Sequence, residues 1–211
     1  MSEKEEVLRQ ISEIKSHLVD KETFFPYNFN ACHVWSVITV ILTLIMIPSY
    51  EYSIAIGTAL TFIFITIGFV VEGMLTKQIN QSYDIDDCTK KQQFIMQNFI
   101  VISLFGIVLS TILSLYHLYV VVFLIWLLLI SLGQLSVGFV LNIVNFTQMA
   151  RFNIIVALSL LSIGTYFKLL DNKEGFLILV QGVVIFGLAI LPSVLAYKQQ
   201  KISLKQEACS V

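Results

Sequence analysis

Between Phe94 and Val144 the chain carries no Asp, Glu, Lys or Arg. About 20 apolar residues suffice to cross the roughly 30 Å of bilayer hydrocarbon, so a run of about 50 must cross twice. The break is expected at Tyr116-His117-Leu118-Tyr119, because amphipathic aromatic rings favour the headgroup level over the hydrocarbon centre. Four further runs have the length of a single crossing: Ala31 to Ile47, closed by Pro48-Ser49-Tyr50, then Ser53 to Leu75, Phe152 to Leu169 and Gly175 to Tyr197. The class is therefore all-α, a polytopic helical membrane protein with about six transmembrane helices in three hairpins. The expected spans are 31–49, 53–75, 94–115, 118–144, 152–169 and 175–197, preceded by an N-terminal segment 1–29 and followed by a tail 198–211. With 57% hydrophobic residues, 13% charged and a mean hydropathy of +0.84, no independent soluble domain is expected beside them.

Orientation follows from Lys and Arg, which accumulate on the cytoplasmic side. Lys4, Arg9, Lys15, Lys21, Lys77, Lys90, Lys91, Arg151, Lys198, Lys201 and Lys205 share one side of this layout. Lys168 and Lys173 are left for the other. Both termini are accordingly expected in the cytoplasm and the chain in the cell membrane, the inner membrane in a cell with two. Cys32, Cys88 and Cys209 all fall on the reducing side, so no disulfide is expected. The sequons Asn80-Gln81-Ser82 and Asn145-Phe146-Thr147 fall there too, and glycosylation at either would invert the topology. Residues 1–22 are charged throughout and have no apolar stretch of signal-peptide length. A net charge of −1, without a dense basic cluster, gives no expectation of nucleic-acid contact.

Residues 2–19 have the pattern of an amphipathic cytoplasmic helix. Val7, Ile11, Ile14 and Leu18 alternate spacings of four and three on one face, and Ser2 with Glu5 has the spacing of a capping box. Glu5 to Arg9 and Glu13 to His17 add i,i+4 pairs on the wet face. The stripe is a candidate docking face. Its cover is the protein's own loops, a second copy in a homo-oligomer, a cytoplasmic partner protein or the lipid interface. Against lipid stands the mixed charge of the polar face, since helices on anionic membranes are Lys/Arg-rich. The aromatic run Phe24-Phe25-Pro26-Tyr27-Asn28-Phe29 suits a juxtamembrane turn.

Inside the spans, polar and small residues recur at helical spacing: Cys32, Ser36, Thr39 and Thr43; Ser53, Gly57, Thr61, Gly68 and Glu72; Ser103, Gly106, Ser110 and Ser114; Ser131, Gln134, Gly138, Asn142 and Asn145. Such stripes are the usual glue of helix packing in lipid, and the same residues suit a polar cavity. Depth favours the cavity, because His33, Glu72, Gln97, Asn98, Gln134, Asn142 and Asn145 all belong to the cytoplasmic halves of their spans. Glu72, the one acidic residue inside an expected span, is the leading member, although its place five residues before Lys77 also suits a side chain that reaches the interface. Gln181 suits interhelical glue, and Pro192 is expected to kink the sixth span and free a carbonyl.

No phosphate loop, nucleophile elbow, HExxH or Cys-x-x-Cys motif occurs, and His17, His33 and His117 are dispersed. Asp84-Ile85-Asp86-Asp87 lacks the spacing and glycine of a calcium loop, and the neighbouring carboxylates disfavour a reactive Cys88 thiolate. No catalytic residue, metal or cofactor is therefore expected. Two functions fit these features. One is a non-enzymatic regulatory or accessory subunit that docks a cytoplasmic partner through residues 2–19 or self-assembles. The other is a small oligomeric channel or transporter with a cytoplasm-facing polar cavity.

Overall fold

The computed structural model describes residues 29–82, 90–140 and 143–209. Among them no strand occurs, and six helices are long and apolar enough to cross a membrane. They are α1 (Asn30–Tyr52), α2 (Ile54–Ser82), α3 (Lys90–Leu115), α4 (Tyr119–Val140), α5 (Val144–Tyr166) and a sixth built from α6 (Glu174–Ile185), a π-helical stretch (Phe186–Ile190) and α7 (Leu191–Cys209). At 1.5 Å per residue the shortest, α4, is about 33 Å long, enough for the hydrocarbon layer.

The axis of the bundle is α4. Of its most apolar window 44% is buried, against 22–33% in the other five helices. Val120, Val122, Phe123, Leu124 and Leu127 are enclosed by Met46 and Tyr50 of α1, Ala157 of α5 and Val180 and Val184 of α6. Large apolar side chains cover the outer faces, among them Leu44, Ile63, Phe105, Ile155 and Ile178, as a helix facing hydrocarbon requires.

Glycines placed in the stripes act as recesses for aromatic rings of the next helix. A Cβ on Gly57 would lie 2.5 Å from the Tyr50 ring, on Gly106 2.7 Å from Trp126, and on Gly133 2.7 Å from Phe99. Ring in recess holds α1 to α2 and α3 to α4, which is the small-residue packing of membrane helices with an aromatic partner. Gln181 reaches across from α6 to donate to the Thr43 carbonyl at 3.3 Å.

Several boundaries differ from the sequence expectation. The helix α1 continues through Pro48 to Tyr52 instead of stopping there, and the Ser49 hydroxyl donates to the Ile45 carbonyl at 2.6 Å within the disturbed turn. The fifth helix starts at Val144, so residues 145–151, which fall between the expected spans 118–144 and 152–169, form its first two turns. In those turns Phe146, Met149, Ala150 and Asn153 are buried while Asn145, Gln148 and Arg151 are exposed, a helical period hidden by polar composition.

Two turns carry the same signature. Leu118 N–H donates to Leu113 O and His117 N–H to Ser114 O, and likewise Leu169 N–H to Gly164 O and Lys168 N–H to Thr165 O. These are Schellman ends, and the residues in the left-handed position are His117 (φ 55°) and Lys168 (φ 53°). Asn172, also left-handed, ties the two turns together: its amide donates to the His117 carbonyl and its Oδ1 accepts from Val120 N–H at 3.3 Å.

Candidate functional site

On α1, Cys32, Trp35 and Thr39 follow one another at spacings of three and four and therefore share a face. The Trp35 indole fits over Gly68 of α2, where a Cβ would lie 2.7 Å from the ring, and meets Phe69 edge-on with centroids 5.1 Å apart. This seat brings Nε1 to within 2.8 Å of Glu72, to which it donates. Gly68 and Glu72 are one turn apart on α2, so one helix supplies both the recess for the ring and the acceptor for its N–H.

The facing wall comes from α3 and α4. Ile95, Phe99 and Ser103 project at intervals of four, and Phe99 rests on Gly133 beside Gln134. Phe146 of α5, Leu188 of the π-helical stretch and Pro192 of α7 close the space, so all six membrane-length helices contribute. The result is a cavity of about 100 Å³, lined mostly by apolar side chains, into which Glu72 and Gln134 bring carboxylate and amide. The Oε1 of Gln134 is buried and has no hydrogen-bond partner. A buried carbonyl left unpaired costs about 1–3 kcal/mol, so it is the strongest local demand for a donor.

Beside the cavity lies a second polar group, organised by Pro192. The Leu191 N–H bonds to Phe186 O, five residues back, and Pro192 has no N–H. The Gly187 carbonyl thus loses the helix donors at both i+4 and i+5. Asn153 of α5, buried, donates its amide to that carbonyl at 2.9 Å, and Gly187 permits the approach because a Cβ there would meet Asn153 Oδ1 at 2.8 Å. The Ser36 hydroxyl of α1 lies 2.7 Å from the Cys32 carbonyl and 2.8 Å from the Ala189 carbonyl, either of which can accept its one proton. Its oxygen is 2.8 Å from Ser193 Oγ, which is in turn 3.0 Å from His33 Nδ1. These bonds lock α1, α5 and the sixth helix around a break in the helical ladder.

Of the residues singled out from the sequence, the fold brings Glu72 and Gln134 to one cavity. His33 belongs to the adjoining serine chain. Asn98 is half-buried on α3 and does not line the cavity, and Asn145 is exposed in the first turn of α5 instead of continuing the stripe of the fourth span. Asn142 lies outside the described residues, as do Val7, Ile11, Ile14 and Leu18. Sequence reasoning missed Trp35 and Asn153. A tryptophan within a span needs a partner for its N–H, and the glycine one turn before the single intramembrane acid was the available signal. Asn153 is the second residue of the expected fifth span, and only the earlier start of the helix at Val144 places it well inside. Among the described residues no three His, Cys, Asp or Glu side chains cluster as metal ligands would.

No protein-family model matches the chain, and neither does any curated protein or solved structure.

Proposed function

We propose that this chain is a multi-pass membrane protein, with three hairpins and both termini in the cytoplasm, whose six-helix bundle binds a small solute between Trp35, Glu72 and Gln134 and acts as a carrier or small channel. The observation behind this reading is the buried Gln134 Oε1, which has no partner and sits in a cavity shared with Glu72. The packed interior also leaves the oxygens of Tyr50, Ser114 and Ser131 unpaired, and what sets Gln134 apart is its place on the wall of a cavity that Glu72 also lines. An unpaired acceptor in a space walled by all six membrane-length helices has the character of a binding site.

The test uses single cysteines at positions 72 and 134 in a protein whose native cysteines are replaced. Both should react with a membrane-impermeant thiol reagent applied from the cytoplasmic side, because a thiol ionises readily where water reaches it. Control cysteines at Leu104 and Ile155, exposed on the outer faces, should stay unlabelled. Reaction at 72 with silence at 134 in a folded protein would reduce Glu72 to a side chain reaching the interface and end the cavity reading.

A second reading rests on the 4-3-4 stripe of Val7, Ile11, Ile14 and Leu18, which fits a docking face for a cytoplasmic partner or a second copy. Ile11→Asp with Ile14→Asp should then abolish co-purification or self-assembly and leave membrane insertion intact, since burial of unpaired carboxylates is costly. Unchanged assembly on native gels and unchanged pull-downs would remove it.

A further inference from the structure

The pair α2 and α3 is pinned at both ends and parted in the middle. Toward one end the Thr58 and Thr111 hydroxyls are 2.9 Å apart. Toward the other, the buried Asn80 and Gln92 exchange two amide bonds of 2.9 and 2.8 Å. Between the pins the helices part around an apolar groove of about 370 Å³, walled by Phe62, Phe69 and Val70 of α2 and by Ile100 and Leu104 of α3. Phe62, Val70, Ile100 and Leu104 are exposed, so the groove opens on the outer face of the bundle, the face that meets hydrocarbon. Ser103 is common to the wall of this groove and the wall of the central cavity, and Phe69, which walls the groove, meets Trp35 of the cavity edge-on and precedes Glu72 by three residues on the same helix. The polar cavity and the lipid-side groove are neighbours.

The chemistry of the two spaces defines a ligand. In the cavity the free capacity is for accepting: Gln134 Oε1 has no donor, and the Glu72 carboxylate, with about four lone-pair directions, takes one bond from Trp35. An ammonium carries three donors and no acceptor, neutralises the carboxylate in a poorly solvated place, and is attracted to aromatic faces such as those of Trp35 and Phe99. At about 100 Å³ the cavity is smaller than the ~150 Å³ space that holds a benzene ring, which favours a compact head over a ring. The groove asks for hydrocarbon. We propose that the site takes an amphiphilic primary amine, with its ammonium held by Glu72 and Gln134 and its alkyl chain lying in the α2–α3 groove. The proposal rests on the cavity being a ligand site and adds the class of ligand and its route from the bilayer.

The experiment uses the full chain in lipid nanodiscs with Trp126→Phe, which leaves Trp35 as the remaining indole of the two in the sequence. Its emission is followed while n-octylammonium, methylammonium, octanoate and 1-octanol are titrated. Octylammonium should give a saturable change at a concentration at least tenfold below methylammonium, and octanoate and octanol should give none. Glu72→Gln, whose amide oxygen still accepts from Trp35, should weaken octylammonium binding at least tenfold. Gln134→Leu, which removes the free acceptor, should also weaken it and stands in if the first variant does not fold. Thr66→Phe, which fills the groove from α2, should reduce octylammonium to the affinity of methylammonium. An equal response to octanol, or octylammonium binding unchanged in both Glu72→Gln and Gln134→Leu, would overturn the proposal. Equal affinity for the long and short amines in the Trp126→Phe protein with an open groove would also overturn it while leaving the cavity as a solute site. Silence of a cysteine at 134 toward aqueous reagents is the separate result that removes the cavity itself.

Discussion

The pair α4 and α5 and the pair α2 and α3 solve the same packing problem in opposite ways. Where α4 passes into α5, Ile143 N–H donates to the Gly138 carbonyl at 2.9 Å and the chain folds back so closely that a Cβ on Gly138 would lie 2.7 Å from the Thr147 backbone nitrogen. Ala157 of α5 shares the core with Val120, Phe123 and Leu127 of α4, and Ala150 is buried as well. In α2 and α3 the hydrogen-bonded pins sit near the ends and the middle opens into the groove beside Ser103. Neither lipid nor the hydrophobic effect favours one design over the other, because hydrocarbon tails are as apolar as the side chains they meet. Small residues let one pair close, whereas the other opens outward between its pins, with Phe62, Ile100 and Leu104 exposed along the groove. A groove open between two polar pins is a feature of this pair that the tight joint lacks.

The sharpest way to break the comparison is to enlarge the tight joint. Gly138→Ala places a methyl group against the backbone of Thr147 and Phe146, where no side-chain rotation relieves it, and should destabilise the protein by about 1–3 kcal/mol. Gly73→Ala on α2 has nothing within 4 Å of its new Cβ and, by removing a glycine from a helix interior, should stabilise the protein by about 0.5–1 kcal/mol. Thermal unfolding in mild detergent compares the two directly. Similar losses would mean that the joint is no tighter than the rest of the bundle.

A smaller effect tests the pins. Asn80→Leu removes both bonds of its pair with Gln92 and should cost about 0.6–1.7 kcal/mol, the range of interhelical hydrogen bonds measured in lipid. Replacing both partners should cost less than the sum of the single changes, because two apolar side chains of similar shape can pack where two amides bonded. Strictly additive losses in the double-mutant cycle would show that Asn80 and Gln92 do not act as a pair.

How much of this was legible in the sequence divides along physical lines. Helix number followed from apolar length, since the bilayer sets that scale and six runs satisfy it. The freed carbonyl near Pro192 followed from the chemistry of proline, although a π-helical shift, absent from any sequence signal, decided that Gly187 would be the one and Asn153 its partner. Glu72 and Gln134 stood out as large polar groups in apolar helices. The start of α5 was misread because Asn145, Gln148 and Arg151 were weighed by polarity, when the buried Phe146, Met149 and Ala150 between them carried the helical period. The α2–α3 groove was not legible at all. It depends on the rotation of two helices about their axes, and the stripes give each helix a face without saying which neighbour it meets.

The smallest predicted effect lies at the outer turns, remote from both joint and groove, and serves as their control. Lys168 is exposed and holds φ at 53°, a left-handed conformation that costs a residue with a Cβ about 1–2 kcal/mol. Lys168→Gly removes that strain but gives the unfolded chain more freedom, a loss of about 0.5–1 kcal/mol. The balance is a gain of about 0.5–1 kcal/mol, visible as a modestly higher melting temperature in detergent. The change also takes a positive charge from the side proposed as external, which strengthens the Lys/Arg asymmetry, so insertion and orientation should be unaffected. Cysteine reactivity at positions 72 and 134 should not move either, because Lys168 N–H satisfies the Thr165 carbonyl from its backbone and that bond survives the substitution. A lower melting temperature would mean that the Lys168 side chain itself anchors the turn, and the left-handed backbone would then be a consequence of that anchor and not a strain that glycine can relieve.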